Sequence, residues 1–414
     1  MQLQIKASGH EPAALLTEGA GDVLHAGLPL TLRLHDRMEP LEAAWRALEA
    51  EDGLSLHQSY DWCRAWAETH GHDLMIIEGL RGGSTQFILP LEVVRQGPLR
   101  TARMIATDFS NINTGLYGEA FRETSSPRQL LRALEDMRGQ LARTCDLLLL
   151  EKMPLEWRGR ASPFAALPSV INQNAAFQLA VFDSFERTLE QINAKRRRKR
   201  ARNSERRLAA TGGYNHVIAG PGEDALALLD LFFRQKAARF EAMGLPDVFR
   251  EERTRSFFRA LASAPAAGGN HLLQLHALRL KGEHEGHVAA ITGLSRKGDH
   301  VICQFGSIDD SVAADASPGD FLFHIAIEKL CGEGVRLFDF GIGDQLYKRS
   351  WCPIETAQHD LLWPVTLAGR AAATLHRAKA ATKRLIKQNP QVYSFVQRLR
   401  FGKAEPAGSA TAAD

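Results

Sequence analysis

The sequence has no uninterrupted apolar run of the roughly 18 or more residues that a membrane-crossing helix needs. Its opening stretch, MQLQIKASGHEPAALLTEGAG, also lacks the basic start and apolar block of a secretory signal, so a globular protein in the cytoplasm is expected. Cysteine is scarce: Cys63, Cys145, Cys303, Cys331 and Cys352 are odd in number, widely spaced and without a C-x-x-C pair. That excludes a disulfide framework and a cysteine zinc site, and predicts reduced, mostly buried thiols. Histidine offers no alternative. His284 and His287 lie three apart in a strand-turn region where alternation points them to opposite faces, and H-E-G-H lacks zincin spacing, so no metal is expected. Sustained apolar heptads are missing too, which excludes a long coiled coil.

What remains is a chain of 414 residues, 44% of them hydrophobic, enough for two or three domains with full cores. The net charge of +3 hides a local bias, because residues 195–207 (KRRRKRARNSERR) hold nine basic residues against one acidic. The rest of the chain is therefore net acidic, and any cationic function is local. Aromatic residues, which would stack on bases, are absent from this run, so nucleic-acid binding is not the expectation.

The first half reads as a strand (30–34), helices at 41–50 and 59–70, and strands at 74–80, 86–95 and 99–105. After them come the turn-rich DFSNINTGLYG, a helix at 127–141 and an apolar strand at 146–150. The second half repeats that order, with a strand at 214–219, helices at 223–242 and 252–262, and strands at 272–280, 288–295 and 301–307. A helix from 317 and a strand from 335 complete it. The repetition predicts two α/β domains of one type, at 29–183 and 213–365, sharing a cleft. Between them, 184–212 reads as a basic linker helix whose far half projects its cations into solvent. Residues 366–402 read as a second basic helical region, broken at Asn389-Pro390, with Leu375, Leu385 and Ile386 packing inward. Residues 1–28 and 403–414 have the composition of disordered ends.

The most informative stretch is 317–352, SPGDFLFHIAIEKLCGEGVRLFDFGIGDQLYKRSWC. Ser317 suits an N-cap, Pro318 the first helical position and Asp320 the first turn, where a carboxylate complements the helix dipole. Gly319 leaves the helix mouth open, so that unpaired amides can hold a pyrophosphate. Phe323, Ile327 and Leu330 line one helical face, Gly332 and Gly334 stop the helix, and a buried strand leads to a polar turn ending in Tyr347-Lys348. Two familiar motifs fail. Gly341-Ile342-Gly343 meets Leu346 where a dinucleotide fingerprint needs Gly or Ala, and Trp351 with Pro353 argues against a following helix. Asp339-Phe340-Gly341 lacks the other parts of a kinase.

In order, Ser317, Pro318, Gly319, Asp339, Phe340, Gly341, Gly343, Asp344, Tyr347 and Lys348 resemble the second, catalytic domain of the FemAB-like and CelD-like branch of the GNAT acyltransferases. The resemblance extends more loosely over 185–365. It implies an α/β fold of tandem GNAT-like (acyl-CoA N-acyltransferase) domains with mixed β-sheets flanked by helices, the first domain degenerate. It also implies acetyl-CoA or another acyl-CoA as donor, although the Arg/Gln-x-x-Gly-x-Gly/Ala pyrophosphate loop is absent. By the same resemblance Lys348 sits at the donor carbonyl, where a fixed cation stabilises a developing oxyanion. Tyr347 is the candidate general acid toward the leaving thiolate, with packing the alternative, and Asp344 and Asp339 are candidates to position or deprotonate the acceptor, with Asp339 alternatively capping the turn at the strand end.

Ser317, Gly319 and Asp320 are then expected at the donor, with Gln304 lining the acyl slot. His324 lies one turn after Asp320 and is either a base or a polar residue under a loop. Arg196, Arg197, Arg198 and Arg200 are either a solvated helix face or candidates for the phosphate of a nucleotide-linked sugar, an anionic lipid head or RNA, the last without sequence-specific reading. The expected reaction is direct acyl transfer to an amine or hydroxyl of a sugar or lipid-linked precursor in envelope or exopolysaccharide formation, as in CelD-like proteins. No Ser-His-Asp or Cys-His arrangement suggests a covalent intermediate. The basic helices also suit an anionic membrane surface, peripheral at the inner membrane face. One rival keeps the fold and changes the donor to aminoacyl-tRNA, as in the peptidoglycan-bridge enzymes of the FemAB group. Another is a non-catalytic scaffold of a polysaccharide-synthesis complex.

Overall fold

The computed structural model describes residues 28–51 and 53–388, so the expectations for the two ends of the chain lie outside the described residues. The first half begins with β1 (Thr31–His35), α1 (Glu42–Glu49) and α2 (Tyr60–His70), then the meander β2 (Asp73–Arg81), β3 (Ser84–Gln96) and β4 (Leu99–Met104). Short β5 (Leu116–Tyr117) and helices α3 (Glu119–Thr124), α4 (Pro127–Asp136) and α5 (Arg138–Thr144) lead to β6 (Leu147–Met153). A two-residue-per-strand hairpin, β7 (Glu156–Trp157) with β8 (Arg160–Ala161), is followed by β9 (Ser169–Ile171), β10 (Ala176–Ala180), α6 (Phe185–Glu190) and α7 (Ala194–Ala210).

The second half repeats the plan with β11 (Tyr214–Ala219), α8 (Glu223–Ala242), α9 (Glu252–Ser263), β12 (His271–Leu280), β13 (Val288–Lys297) and β14 (His300–Ile308). Then come α10 (Pro318–Leu330), β15 (Leu337–Ile342), α11 (Leu346–Trp351), β16 (Ile354–Thr356), β17 (His359–Pro364) and α12 (Leu367–Gln388). The expected repeat is thus present, as two mixed sheets with the same leading order, β1-β2-β3-β4-β6 and β11-β12-β13-β14-β15. Within each, neighbours run antiparallel except the last pair, β4 with β6 and β14 with β15, which are parallel. A parallel pair requires a crossover, and α3–α5 and α10 supply it.

Neither sheet stays within the expected boundaries at 183 and 213. β10, from the end of the first segment, lies in the second sheet between β15 and β16, whereas β17 lies in the first sheet between β6 and β9. Each parallel pair ends on a strand with a free edge, and a strand from the other half covers it. Sequence layout did not show the exchange because β10 and β17 are only five and six residues long.

The halves also share one apolar core. Trp62 meets Phe257 edge-on at 5.2 Å, and Phe109 meets Phe258 edge-on at 5.1 Å, so rings from both halves interlock. Three further expectations fail. The turn before Trp351 is the helix α11, since Pro353 falls just past its C-cap and therefore does not break it. In α7, Arg197 is buried rather than solvated. On α12, Leu375 and Leu385 are 71% and 67% exposed instead of packed inward, because the face toward the sheet is carried by Gly369 and Ala373; the Ile386 side chain lies outside the description.

Candidate active site

β14 and β15 are paired only at His300/Leu337, Val301/Phe338 and Ile302/Asp339. Beyond these residues the strands part, and among the described residues the β14 edge from Cys303 to Ile308 has no strand partner on that side. A cavity of about 290 Å³ occupies the gap, bounded by β14, β15, the start of α10, α11 and the inner face of α8. Gln304, Gly319, Asp320, Tyr347, Lys348 and Arg200 all line it, so the two ends of the 317–352 motif do converge.

Lys348 is 5% exposed and its Nζ donates to the Ile342 carbonyl at 2.7 Å. Burial lowers its pKa, while Cys303 and Asp339 nearby push it back up. The position depends on Gly341 and Gly343, whose φ of 77° and 100° turn the chain from β15 into α11. Gly341 has a second reason to lack a side chain, since a Cβ there would lie 2.7 Å from Asn111 Oδ1. Tyr347 stacks on Phe323 with ring centroids 5.9 Å apart and interplanar angle 8°, and burial raises its phenol pKa far above the usual range. It stays protonated at any working pH, and full proton transfer from it would be uphill. It suits a hydrogen-bond donor better than the general acid expected.

Several other expected residues sit elsewhere. Asp344 is paired with Arg349 (Nη2 to Oδ2, 2.6 Å), is half exposed and does not line the cavity. Asp339 is sealed beneath the cavity floor, its carboxylate accepting from Gln178 Nε2 at 2.9 Å and from the Gly341 amide at 2.6 Å. Its job is to close the turn after β15. Ser317 has φ 50° and makes no side-chain cap bond, because the left-handed backbone turns its hydroxyl away from the first helical amides; it does not line the cavity. Gly319 is buried, and a Cβ there would meet Ile308 Cδ1 at 2.6 Å, so its missing side chain admits β14 first of all.

Asp320 is held by Arg197 Nη1 (2.7 Å), Arg200 Nε (3.1 Å) and Trp351 Nε1 (2.9 Å). Arg197 also lies 3.9 Å over the Trp351 ring and donates to Ser350. This cluster pins α7, α10 and α11 together, so Arg197 is structural, and of the four arginines proposed for the acceptor only Arg200 lines the cavity. Arg196 and Arg198 face solvent. His324 packs against Phe185 at 4.7 Å, away from the cavity, and burial lowers its pKa to about 4.

Three lining residues had no sequence signal strong enough to find them: Lys236 and Arg239 on α8, and Asn111. Burial lowers the Lys236 pKa. Two cations three apart on an amphipathic helix ordinarily face solvent, and only the tertiary fold turns these inward. Asn111 comes from the turn-rich segment of the first half. It wedges into the gap, donating from Nδ2 to Cys303 O at 3.3 Å, with its Oδ1 3.5 Å from the Ile342 amide. Cys303 lines the cavity as well, but burial raises its pKa, and a protonated thiol is a poor nucleophile. No group of three or more His, Cys, Asp or Glu residues able to hold a metal occurs among the described residues.

The two mixed sheets, with the parallel strands of the second parting over a cavity edged by a helix start, form a GNAT-like fold. Residues 195–349, which contain the motif and most of the cavity lining, match the family model described as acetyltransferase (GNAT) domain. Among solved structures, FemX superposes with TM-score 0.55 at 11% identity, covering 79% of this chain and 96% of that one. A conserved protein of unknown function from Bacteroides thetaiotaomicron gives 0.50 at 15%, covering 80% and 99%. A tandem GNAT protein from the clavulanic acid biosynthesis pathway gives 0.44 at 14%, covering 81% and 99%. No curated protein matches the sequence.

Proposed function

We propose that this protein transfers an acyl group from an acyl thioester, acetyl-CoA or another acyl-CoA, to an amine or hydroxyl of a sugar or lipid-linked precursor in envelope or exopolysaccharide formation. The observation that carries the reading is the cavity where Lys348 and Tyr347 meet the unpartnered β14 edge and the start of α10. An open strand edge can accept an extended, amide-bearing donor arm, and the Gly319 end of the helix with Arg200 can face its phosphates.

In this reading the acceptor nitrogen or oxygen attacks the thioester carbonyl and forms the new C–N or C–O bond. The oxyanion is held by the Lys348 ammonium, and as the C–S bond breaks the departing thiolate receives a hydrogen bond from Tyr347. The acceptor must also lose a proton. The one carboxylate lining the cavity, Asp320, is already held by Arg197, Arg200 and Trp351, whereas Lys236 has its pKa lowered by burial and is suited to act as the base.

Coenzyme A should raise the melting temperature, and Lys236→Met should cost about 100-fold in kcat/KM. It should also remove the limb that rises with pH, since a base works only above its own pKa. No thermal shift with coenzyme A, together with stabilisation by aminoacyl-tRNA, would favour the tRNA-dependent rival, for which the solvent-facing Arg196 and Arg198 are the supporting observation.

A further inference from the structure

α12 packs its Gly369 and Ala373 side against the first sheet, and His376 Nε2 lies 2.9 Å from Asp360 Oδ2 on β17. The packing is close: a Cβ at Gly369 would lie 1.7 Å from the Asp146 carbonyl oxygen. Among the described residues, nothing covers the opposite face. Leu367, Leu375 and Leu385 are 79%, 71% and 67% exposed, and Leu367 and Leu385 share one azimuth, five turns apart. Only small exposed residues, among them Ala371, Thr374 and Ala378, lie between these leucines.

Beside this stripe Arg370, Arg377 and Arg384 recur every seven residues and so form a row along one flank, with Lys379 on the other. All four are exposed. From Leu367 to Gln388 the helix contains no Asp or Glu at all. A solvated helix of a protein this size does not ordinarily present three large leucines beside a row of cations and no acid of its own.

We infer that the outer face of α12 docks on an anionic lipid surface, with the three leucines entering the boundary between headgroups and acyl chains and the arginine row pairing with lipid phosphates. The charge pattern selects this occupant. A second copy of the chain would bring arginine row against arginine row, since the helix has no acid to oppose them. An RNA would use the cations and leave the leucines in water, and no aromatic residue on the face offers a base something to stack on. An anionic membrane matches both the apolar stripe and its cationic rim. This inference does not depend on the acyl-transfer reading.

The test is co-sedimentation of the full chain with phosphatidylcholine vesicles, with and without phosphatidylglycerol. Binding should be about tenfold or more stronger with phosphatidylglycerol and should weaken as salt rises. Replacing Arg370, Arg377 and Arg384 together with Gln should abolish the preference for anionic lipid. Leu375→Ser with Leu385→Ser should reduce binding most at high salt, where charge is screened and apolar insertion is what remains. Both positions are exposed, so circular dichroism and melting should be unchanged. Arg196→Gln with Arg198→Gln on α7 is the control and should bind as the parent does.

Equal binding to neutral vesicles, loss of binding in the α7 control alone, or a concentration-dependent dimer abolished by the leucine changes would each overturn the inference.

Discussion

The two sheets part at equivalent places, after Arg103/Leu149 in the first and Ile302/Asp339 in the second, yet the cavity that Lys348 and Tyr347 line lies at the second. In the first, the chain closes its own gap. Lys152 Nζ donates to the Ser110 carbonyl at 2.9 Å and also to that of Thr107, while the Asn113 amide donates to Lys152 O at 2.9 Å and Asn113 Nδ2 to Glu151 O at 2.8 Å. In the second, the loop after β14 does not line the cavity, and the Asn111 side chain reaches in from the first half. The same topology thus yields a plug in one half and a site in the other. The fold creates the gap, and the loop after the fourth strand of each repeat decides its use. The plug is itself a component of the site, since the segment that fills the first gap carries Asn111 into the second.

The largest expected effect falls on the joint between the two regions. His57 is fully buried, its Nδ1 3.2 Å from the Ile112 carbonyl and its Nε2 3.3 Å from Gln304 Oε1 across the interface, and burial lowers its pKa to about 4. Its folded pKa lies below the unfolded value, so the folded state binds fewer protons. The stability it contributes is complete above about pH 6.5 and is lost as pH falls toward 4, a change of about 3 kcal/mol. Denaturant midpoints across that window should fall, and His57→Gln should flatten the dependence. A slope unaltered by the substitution would assign the acid sensitivity to other histidines.

The next two predictions set the lysines of the two gaps against each other. Lys348→Met should lower kcat about 100-fold or more while coenzyme A still shifts the melting temperature. Gly319→Val should do the reverse, weakening donor binding first, because its new side chain crowds Ile308 and the helix mouth. Lys152→Met should leave kcat per folded molecule unchanged and lower the unfolding free energy by about 1–3 kcal/mol, through the carbonyls it strands. If Lys152→Met removed activity and Lys348→Met did not, the assignment of plug and site would be reversed. The smallest effect is expected at the wedge: Asn111→Ala removes its hydrogen bonds to the Cys303 carbonyl and the Ile342 amide, each worth about 0.5–1.5 kcal/mol, and should change donor KM severalfold with little change in kcat. An unchanged KM would make the wedge a packing element only.

Much of this fold was legible along the chain. Residues 214–219 and 223–242 form β11 and α8 within the expected bounds, because glycines flank the strand and a glycine followed by an acidic first turn opens the 20-residue helix. The single helix expected at 127–141 is two, divided at Met137, and the whole of 151–183 was read without strands. Its elements are too short to carry a period, and their partners lie across the interface. Of the residues that line the cavity, Lys348, Tyr347 and Gly319 were legible from the motif and Gln304 from its place before the Ser317 helix. Asp344 and Arg197 were misplaced because a sequence lists charges and does not say which will pair, as they do with Arg349 and Asp320.

By itself, then, the sequence determined the repeated order of strands and helices and the helix, strand and glycine turn of the 317–352 segment, since periodicity, caps and glycine positions act within a few residues of one another. Only the tertiary structure decided that β10 and β17 change places, that Asn111 serves the other half, that Lys236 faces inward and that the first gap is plugged. These outcomes depend on which distant groups are brought within bonding distance and removed from water, and no local pattern encodes that.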